Sequence, residues 1–218
     1  MTKQQAVREP DGLSSALVAD AMDTRGFRVQ CLGADIVALA GEGRIVGPAF
    51  TLQSHPASSV TPSEPYSGLL EAMDEVGPQM VVVFATGRSS AAGVWGELIT
   101  TACQHRDVTG AVTDGLIRDA EQLQGSGFPV FGRGTLPYDS KGRLDVTAHQ
   151  VPVEVDGVRI RPGDLVVADL DGVAIVPQEI IDEVLTAIDQ KRANEDAFRA
   201  AVAQGMSMRQ AFQLHQVL

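Results

Sequence analysis

Glu97 is separated by twenty intervening residues from an adjacent cation and acid, Arg118 and Asp119, in the stretch GVWGELITTACQHRDVTGAVTDGLIRD. Gly93 and Gly96 come immediately before a predicted helix start. Free backbone N–H groups and the helix dipole can hold a carboxylate there, and two missing side chains let the anion approach closely. Glu97 falls in the first turn of that helix, where it either complements the dipole or holds a metal-bound water. Arg118 and Asp119 follow a strand and the turn residues Asp114 and Gly115. Asp119 has a structural use too, because DAEQ matches a helix N-cap with Gln three residues later, a variant of the capping box.

The motifs that are missing narrow the chemistry. The chain lacks GxGxxG, GxxxxGK[ST], HExxH and GxSxG, which removes the usual nucleotide, zinc-protease and serine-hydrolase readings. Its three lysines are Lys3 near the terminus, Lys141 in a Gly-bounded loop and Lys191 in a polar stretch of a long helix. None sits in an apolar strand that could desolvate a Schiff-base amine. Carbonyl chemistry in this chain therefore calls for a metal. His55, His105, His149 and His215 fall in different elements without metal-ligand spacing, so structural or surface roles are expected of them. Trp95 reads as a packing residue. Cys31 and Cys103 form no CxxC motif and read as buried thiols.

With 218 residues, 44% hydrophobic, the chain can bury a sizeable core. A net charge of −11 without any Lys/Arg run argues against nucleic acid, whose phosphates need clustered cations. No apolar run is long enough to span a bilayer, and MTKQQAVREPDG lacks the apolar core of a signal peptide. The expectation is a soluble cytoplasmic protein that binds neither nucleic acid nor membrane.

Alternating strands and helices must position these residues. The spacing predicts an N-terminal helix over Leu13 to Gly26 with Ser14 or Ser15 as cap, a strand in GRIVGPAFTL, a helix in YSGLLEAMDEVG and a buried strand in QMVVVFATG. A helix from Trp95 to Arg106, a strand in GAVTDG, a helix of about two turns and a strand in FPVFGRG follow. From Val151 the pattern turns to β, with VPVEVDGVRI, DLVVADL and GVAIVP read as a small antiparallel unit between Asp-Gly and Pro-Gly turns. A long helix runs from about Gln178 to Ala203, with a short one after Gly205. On the long helix, Ile181, Val184, Leu185 and Ile188 form an apolar stripe that Glu195 continues, either because the stripe drifts or because a carboxylate is needed there. Nothing marks a linker or repeat, so a single domain over 1–218 is expected.

The stretches GVWGEL, GAVTDGLIRD and FPVF, with the later RPGDLVVADLDGVAIVP, resemble the RraA-like family in its 4-hydroxy-4-methyl-2-oxoglutarate/4-carboxy-4-hydroxy-2-oxoadipate aldolase branch, over roughly residues 13 to 205. That branch is similar in having an acid, twenty residues, then Arg-Asp. The resemblance implies an α/β fold of layered β/β/α, swivelling-domain-like type with flanking helices. It also implies a homotrimer or hexamer in which the helical segment 178–218 packs on a neighbouring subunit. By the same resemblance Asp119 would bind Mg²⁺ or Mn²⁺ directly and Glu97 would hold metal-bound water. Arg118 would contact the 2-oxo oxygen, backbone N–H groups near Leu98 and Ile99 would bind the carboxylate, and Glu195 would reach a neighbour's site. The implied activity releases pyruvate from a 4-hydroxy-2-oxo acid, with oxaloacetate decarboxylation as a side activity through the same enolate. A non-catalytic branch of the superfamily binds and inhibits a ribonuclease, and there the residue after the Arg is not acidic. This chain departs from many aldolases in carrying Glu97 where they have Asp. His149 would be the one link to phosphohistidine domains of related architecture, and VTAHQVP does not strengthen it.

Overall fold

The computed structural model describes residues 12–61 and 63–217; Lys3 and the N-terminal stretch read above lie outside them. Helix α1 (Ser15–Asp23) begins at Ser14, whose side chain accepts from the Leu17 N–H, so the predicted cap forms. After β1 (Val37–Ala40) comes the twelve-residue β2 (Ile45–Pro56), then α2 (Ser67–Glu75) and the fully buried β3 (Val81–Ala85). The middle of the chain supplies β4 (Gly93–Trp95), α3 (Glu97–Gln104), β5 (Gly110–Thr113), β6 (Leu116–Ile117), α4 (Ala120–Ser126) and β7 (Val130–Gly132). The last part adds β8 (Leu144–His149), β9 (Val153–Val155), β10 (Val158–Ile160), β11 (Leu165–Asp169), β12 (Gly172–Val176), α5 (Ile181–Ala203) and α6 (Met208–His215).

Strands β2, β3, β5 and β7 run parallel in that order, and β1 closes the far edge antiparallel to β7. On its other side β2 is shared. Residues 45–48 pair with β11 and residues 52–56 pair with β8, with an irregularity at Gln53/Ser54 inside the second pairing. One long strand thereby serves two directions and the sheet curls.

Alternation in the central strands builds two cores. Val82 and Phe84 face Leu69, Met73, Cys103 and Leu123 in the helical layer, whereas Val81 and Val83 face Val153, Val155, Val158 and Ile160 of the β9–β10 hairpin. A third cluster packs α1 and α5 on β11 and β12 through Val18, Met22, Val184 and Ile188. The result is a mixed α/β fold, a curled sheet with helices on one face and a hairpin on the other.

Three expectations need correction. Trp95 ends a strand instead of starting a helix, because Gly96 sits in extended backbone and the helix begins at Glu97. The antiparallel unit after Val151 divides: β9 and β10 pair only with each other, while β11 and β12 extend the main sheet through β2. Cys31 is exposed; only Cys103 is buried, and its burial pushes that thiol up to about 12. Trp95 packs as expected, stacked on Phe128 with its indole N–H donated to Thr100 Oγ1 at 2.9 Å.

Candidate functional site

Strands β4 and β6 lie side by side and parallel, so the ends of both deliver their next residues to one place. Beyond β4 are Gly96 and the first turn of α3; beyond β6 are Arg118 and Asp119. The Arg118 N–H donates to the Trp95 carbonyl at 2.8 Å and locks the two segments together. The glycines are steric requirements of this crossing. A Cβ on Gly96 would lie 2.6 Å from Asp119 Oδ2, and one on Gly93 would lie 2.5 Å from the Leu136 carbonyl oxygen.

Asp119 does occupy the N-cap position of α4, but in the left-handed region with φ 58°, and its side chain makes no cap hydrogen bond. The carboxylate turns instead to the other strand end. Its Oδ2 accepts from the Glu97 N–H at 3.2 Å, and its Oδ1 lies 3.4 Å from Arg118 Nε. The capping-box reading of DAEQ is therefore replaced by a contact between segments twenty-two residues apart.

These groups border a cavity of about 300 Å³ lined by Tyr66, Leu69, Gly93, Gly96, Leu98, Ile99, Arg118, Asp119, Asp139 and Ser140, among others. The first turn of α3 gives it N–H groups ahead of the first intrahelical bond, which Thr100 makes to the Gly96 carbonyl at 3.2 Å. Arg118 is held between two acids: Nε toward Asp119, and Nη1 3.4 Å from Asp139 Oδ1. Both separations exceed the usual 2.7–2.9 Å of a strong charge-assisted bond, and the guanidinium's other N–H groups have no partner among the described residues. An anion in the cavity would find them.

Five of the predicted site residues, Gly93, Gly96, Leu98, Ile99 and Arg118, thus meet Asp119 around one cavity. Glu97 contributes its backbone N–H, while its carboxylate accepts from Thr101 Oγ1 at 2.8 Å along the helix and does not line the cavity. Glu195 is elsewhere in the chain's own fold. It pairs with Arg199 at 2.8 Å and borders a hollow between α1 and α5. Sequence reasoning missed Tyr66, Asp139 and Ser140. Tyr66 and Asp139 are seventy-three residues apart, and no local pattern joins them.

The donor set suits a hard divalent cation that keeps most of its water. No group of three or more His, Cys, Asp or Glu side chains gathers among the described residues; Asp119 is the carboxylate beside the cavity that could hold such a cation, with substrate and water oxygens completing its shell. Among the described residues no helix is long and apolar enough to cross a membrane.

Comparison with known proteins places the chain among one group of relatives. The family model described as "RraA-like: Aldolase/RraA" matches residues 15–175. Protein DlpA of Legionella pneumophila is 30% identical over 198 residues, which are 91% of this chain but 32% of DlpA, so the chain spans about a third of that relative. A Halalkalibacterium halodurans protein named "Putative 4-hydroxy-4-methyl-2-oxoglutarate aldolase" is 29% identical over 92% of this chain and 90% of its own length. Among solved structures, Streptomyces coelicolor RraAS2, titled an unusual member of the RNase ES inhibitor RraA protein family, superposes with a TM-score of 0.73 at 33% identity, over 86% of this chain and 97% of its own.

Proposed function

The chain belongs to the RraA-like family, and from that premise we propose that it is a divalent-metal-dependent carbon–carbon lyase. In this reading it cleaves a 4-hydroxy-2-oxo acid, of the 4-hydroxy-4-methyl-2-oxoglutarate or 4-carboxy-4-hydroxy-2-oxoadipate kind, to release pyruvate. Oxaloacetate decarboxylation follows as a side activity, because it passes through the same enolate. The observation that carries the reading is Asp119, whose carboxylate leaves its own helix uncapped and lies beside Arg118 at the cavity.

In the cleavage the C3–C4 bond breaks, its electron pair moves into the C2 oxo group as an enolate, the C4 hydroxyl loses its proton as C4 becomes a carbonyl, and C3 is then protonated. Asp119 would hold the cation, whose chemistry when bound is Lewis-acid stabilisation of negative charge on the substrate oxygens. Arg118 places a permanent positive charge and a planar donor fork where the C2 oxygen gains charge. The first-turn N–H groups of Leu98 and Ile99 bind the C1 carboxylate, which fixes the C2 oxygen relative to Arg118. Glu97 lies one residue before them, and its carboxylate is the nearest acid on α3 to receive a proton through water once released from Thr101. The assembly proposed for this lyase is a homotrimer or hexamer, in which Glu195 of one subunit serves the cavity of the next.

The test is coupled detection of pyruvate over a panel of 4-hydroxy-2-oxo acids and oxaloacetate, with Mg²⁺, with Mn²⁺ and with chelator. Metal-dependent release from at least one 4-hydroxy-2-oxo acid is expected. No release from any, together with metal-independent inhibition of a ribonuclease, would replace the lyase by the regulator that the RraAS2 likeness suggests.

A further inference from the structure

Across the cavity from Asp119, a second acid is built against Arg118 by an independent part of the chain. The segment after β7 runs back along β4 and β6: the Ile117 N–H donates to the Gly134 carbonyl at 2.9 Å, the Leu136 N–H to Ile117 at 2.8 Å and the Gly93 N–H to Tyr138 at 2.8 Å. This backbone pairing sets Asp139 beside the Arg118 guanidinium. Its other carboxylate oxygen accepts the hydroxyl of Tyr66, and the amide of Lys141 donates to Oδ1. Burial works against the Asp139 charge, yet the Tyr66 hydroxyl, the backbone amides and Arg118 together hold its carboxyl below the usual range. Asp139 is thus a poor proton acceptor and holds its negative charge at neutral pH.

Tyr66 is itself held in an unusual way. It is the N-cap residue of α2 with φ 66°, and its side chain makes no cap hydrogen bond. A bulky residue in the left-handed region costs about 1–3 kcal/mol and persists only where its surroundings over-determine it. That backbone sets its ring at the cavity, with the hydroxyl on Asp139.

We propose that Tyr66 and Asp139 form a positioning arm that holds the Arg118 guanidinium in the orientation needed by the ligand of this cavity. Asp139 lies 3.4 Å from one terminal nitrogen while Asp119 meets Nε at 3.4 Å, so two carboxylates on different sides favour one orientation of the planar fork over its other rotamers. Tyr66 in turn fixes the Asp139 carboxylate. The arm acts through Arg118 and touches no reacting atom. Its kinetic consequence rests on the lyase reading; its existence does not.

The experiment separates the two. The chain has two tyrosines, so in a Tyr138→Phe background the ultraviolet tyrosinate titration reports Tyr66 alone. Other charges near Tyr66 are Arg118, which lowers its pKa, and the Glu64 and Asp145 carboxylates of the neighbouring hollow. The hydrogen bond to Asp139 raises the phenol above its ordinary value, so Asp139→Asn should move the titration down toward about 10. Phenylglyoxal adducts on Arg118, followed by mass spectrometry, should form faster in Asp139→Asn and in Tyr66→Phe than in the parent. With a substrate from the pyruvate panel, Asp139→Asn should lower kcat about 10- to 100-fold with KM changed far less, and Tyr66→Phe should fall between it and the parent. An unchanged Tyr66 titration with unchanged Arg118 reactivity, in variants whose circular dichroism is native, would show that the arm is absent. A parent-like kcat in Asp139→Asn would show that the arm positions nothing. If the parent releases no pyruvate the lyase reading falls, and the titration and Arg118 reactivity still decide the arm.

Discussion

The carboxylate of Asp119 accepts the backbone N–H of Glu97 at 3.2 Å, joining the start of α4 to the start of α3. Two helix N-termini are thereby tied together by one acid that caps neither in the ordinary sense. The bond leaves unused lone pairs on both carboxylate oxygens beside the cavity, and removal of this acid should separate function from folding.

For Asp119→Asn, the left-handed backbone remains accessible, since Asn tolerates that region nearly as well as Asp. Stability should drop by less than about 1 kcal/mol in thermal unfolding, because no capping bond is lost. Metal-dependent pyruvate release should fall by about 100-fold or more. Near-parental activity under saturating Mg²⁺ would rule out this carboxylate as the cation's anchor.

The contact at Gly96 gives an orthogonal probe. Its φ of −152° suits any residue, so Gly96→Ala costs nothing in backbone strain, yet the added Cβ meets Asp119 Oδ2 at 2.6 Å. Displacing the carboxylate should cost about 1–3 kcal/mol in stability and weaken Mg²⁺ dependence, read as a rise in the metal concentration for half-maximal activity. A variant with parental metal response would mean that the carboxylate need not sit where Gly96 now leaves room.

Arg118→Lys keeps the charge and loses the fork. A single ammonium cannot meet Asp119 and Asp139 from two separate nitrogens as Arg118 does, so its charge would not be held over the substrate oxygen. Turnover should fall by about 100-fold, with KM for the 2-oxo acid rising less. A Lys variant as active as the parent would reduce the role to a point charge.

The two thiols should differ sharply. Burial raises Cys103 to about 12, whereas Cys31 is raised less, by partial burial of its thiol and by the Asp23 carboxylate, and is exposed. Because both pKa values are raised, both groups are neutral thiols at pH 7, and a rise in pH ionises Cys31 well before Cys103. Native protein at pH 8 to 9 should take one equivalent of iodoacetamide, at Cys31, and denatured protein two. Labelling of native Cys103 would contradict its place in the core.

Glu195 tests the assembly. Within the chain it pairs with Arg199, itself 65% exposed, so Glu195→Gln should cost only about 0.5 kcal/mol. If it serves a neighbouring cavity, turnover should still fall. Mixing Asp119→Ala with Glu195→Ala subunits should then restore metal-dependent pyruvate release, since a mixed ring draws intact residues from different chains. Confirmed subunit exchange without recovery would end the cross-subunit role.

Much of this molecule was legible from short-range pattern. The all-apolar run of β3 announced a strand buried on both faces, Ser14 or Ser15 announced the start of α1, and the glycines of GVWGEL announced a helix start, but the room they were expected to leave for a substrate anion is taken by Asp119 and the Leu136 carbonyl. Periodicity and capping report forces that act within about four residues; that reading placed α1 and β3 but put Trp95 in a helix where it ends a strand. It failed where one residue had two local uses: the DAEQ pattern is satisfied equally by a cap or by a free carboxylate, and only the parallel pairing of β4 with β6 brought the Glu97 amide near enough to take Asp119 from its own helix. Tyr66 and Asp139 left no trace in the pattern at all. They meet because the segment after β7 pairs with β4 and β6 while α2 packs from another direction, and a contact made by chain crossing over seventy-three residues is decided by tertiary packing alone.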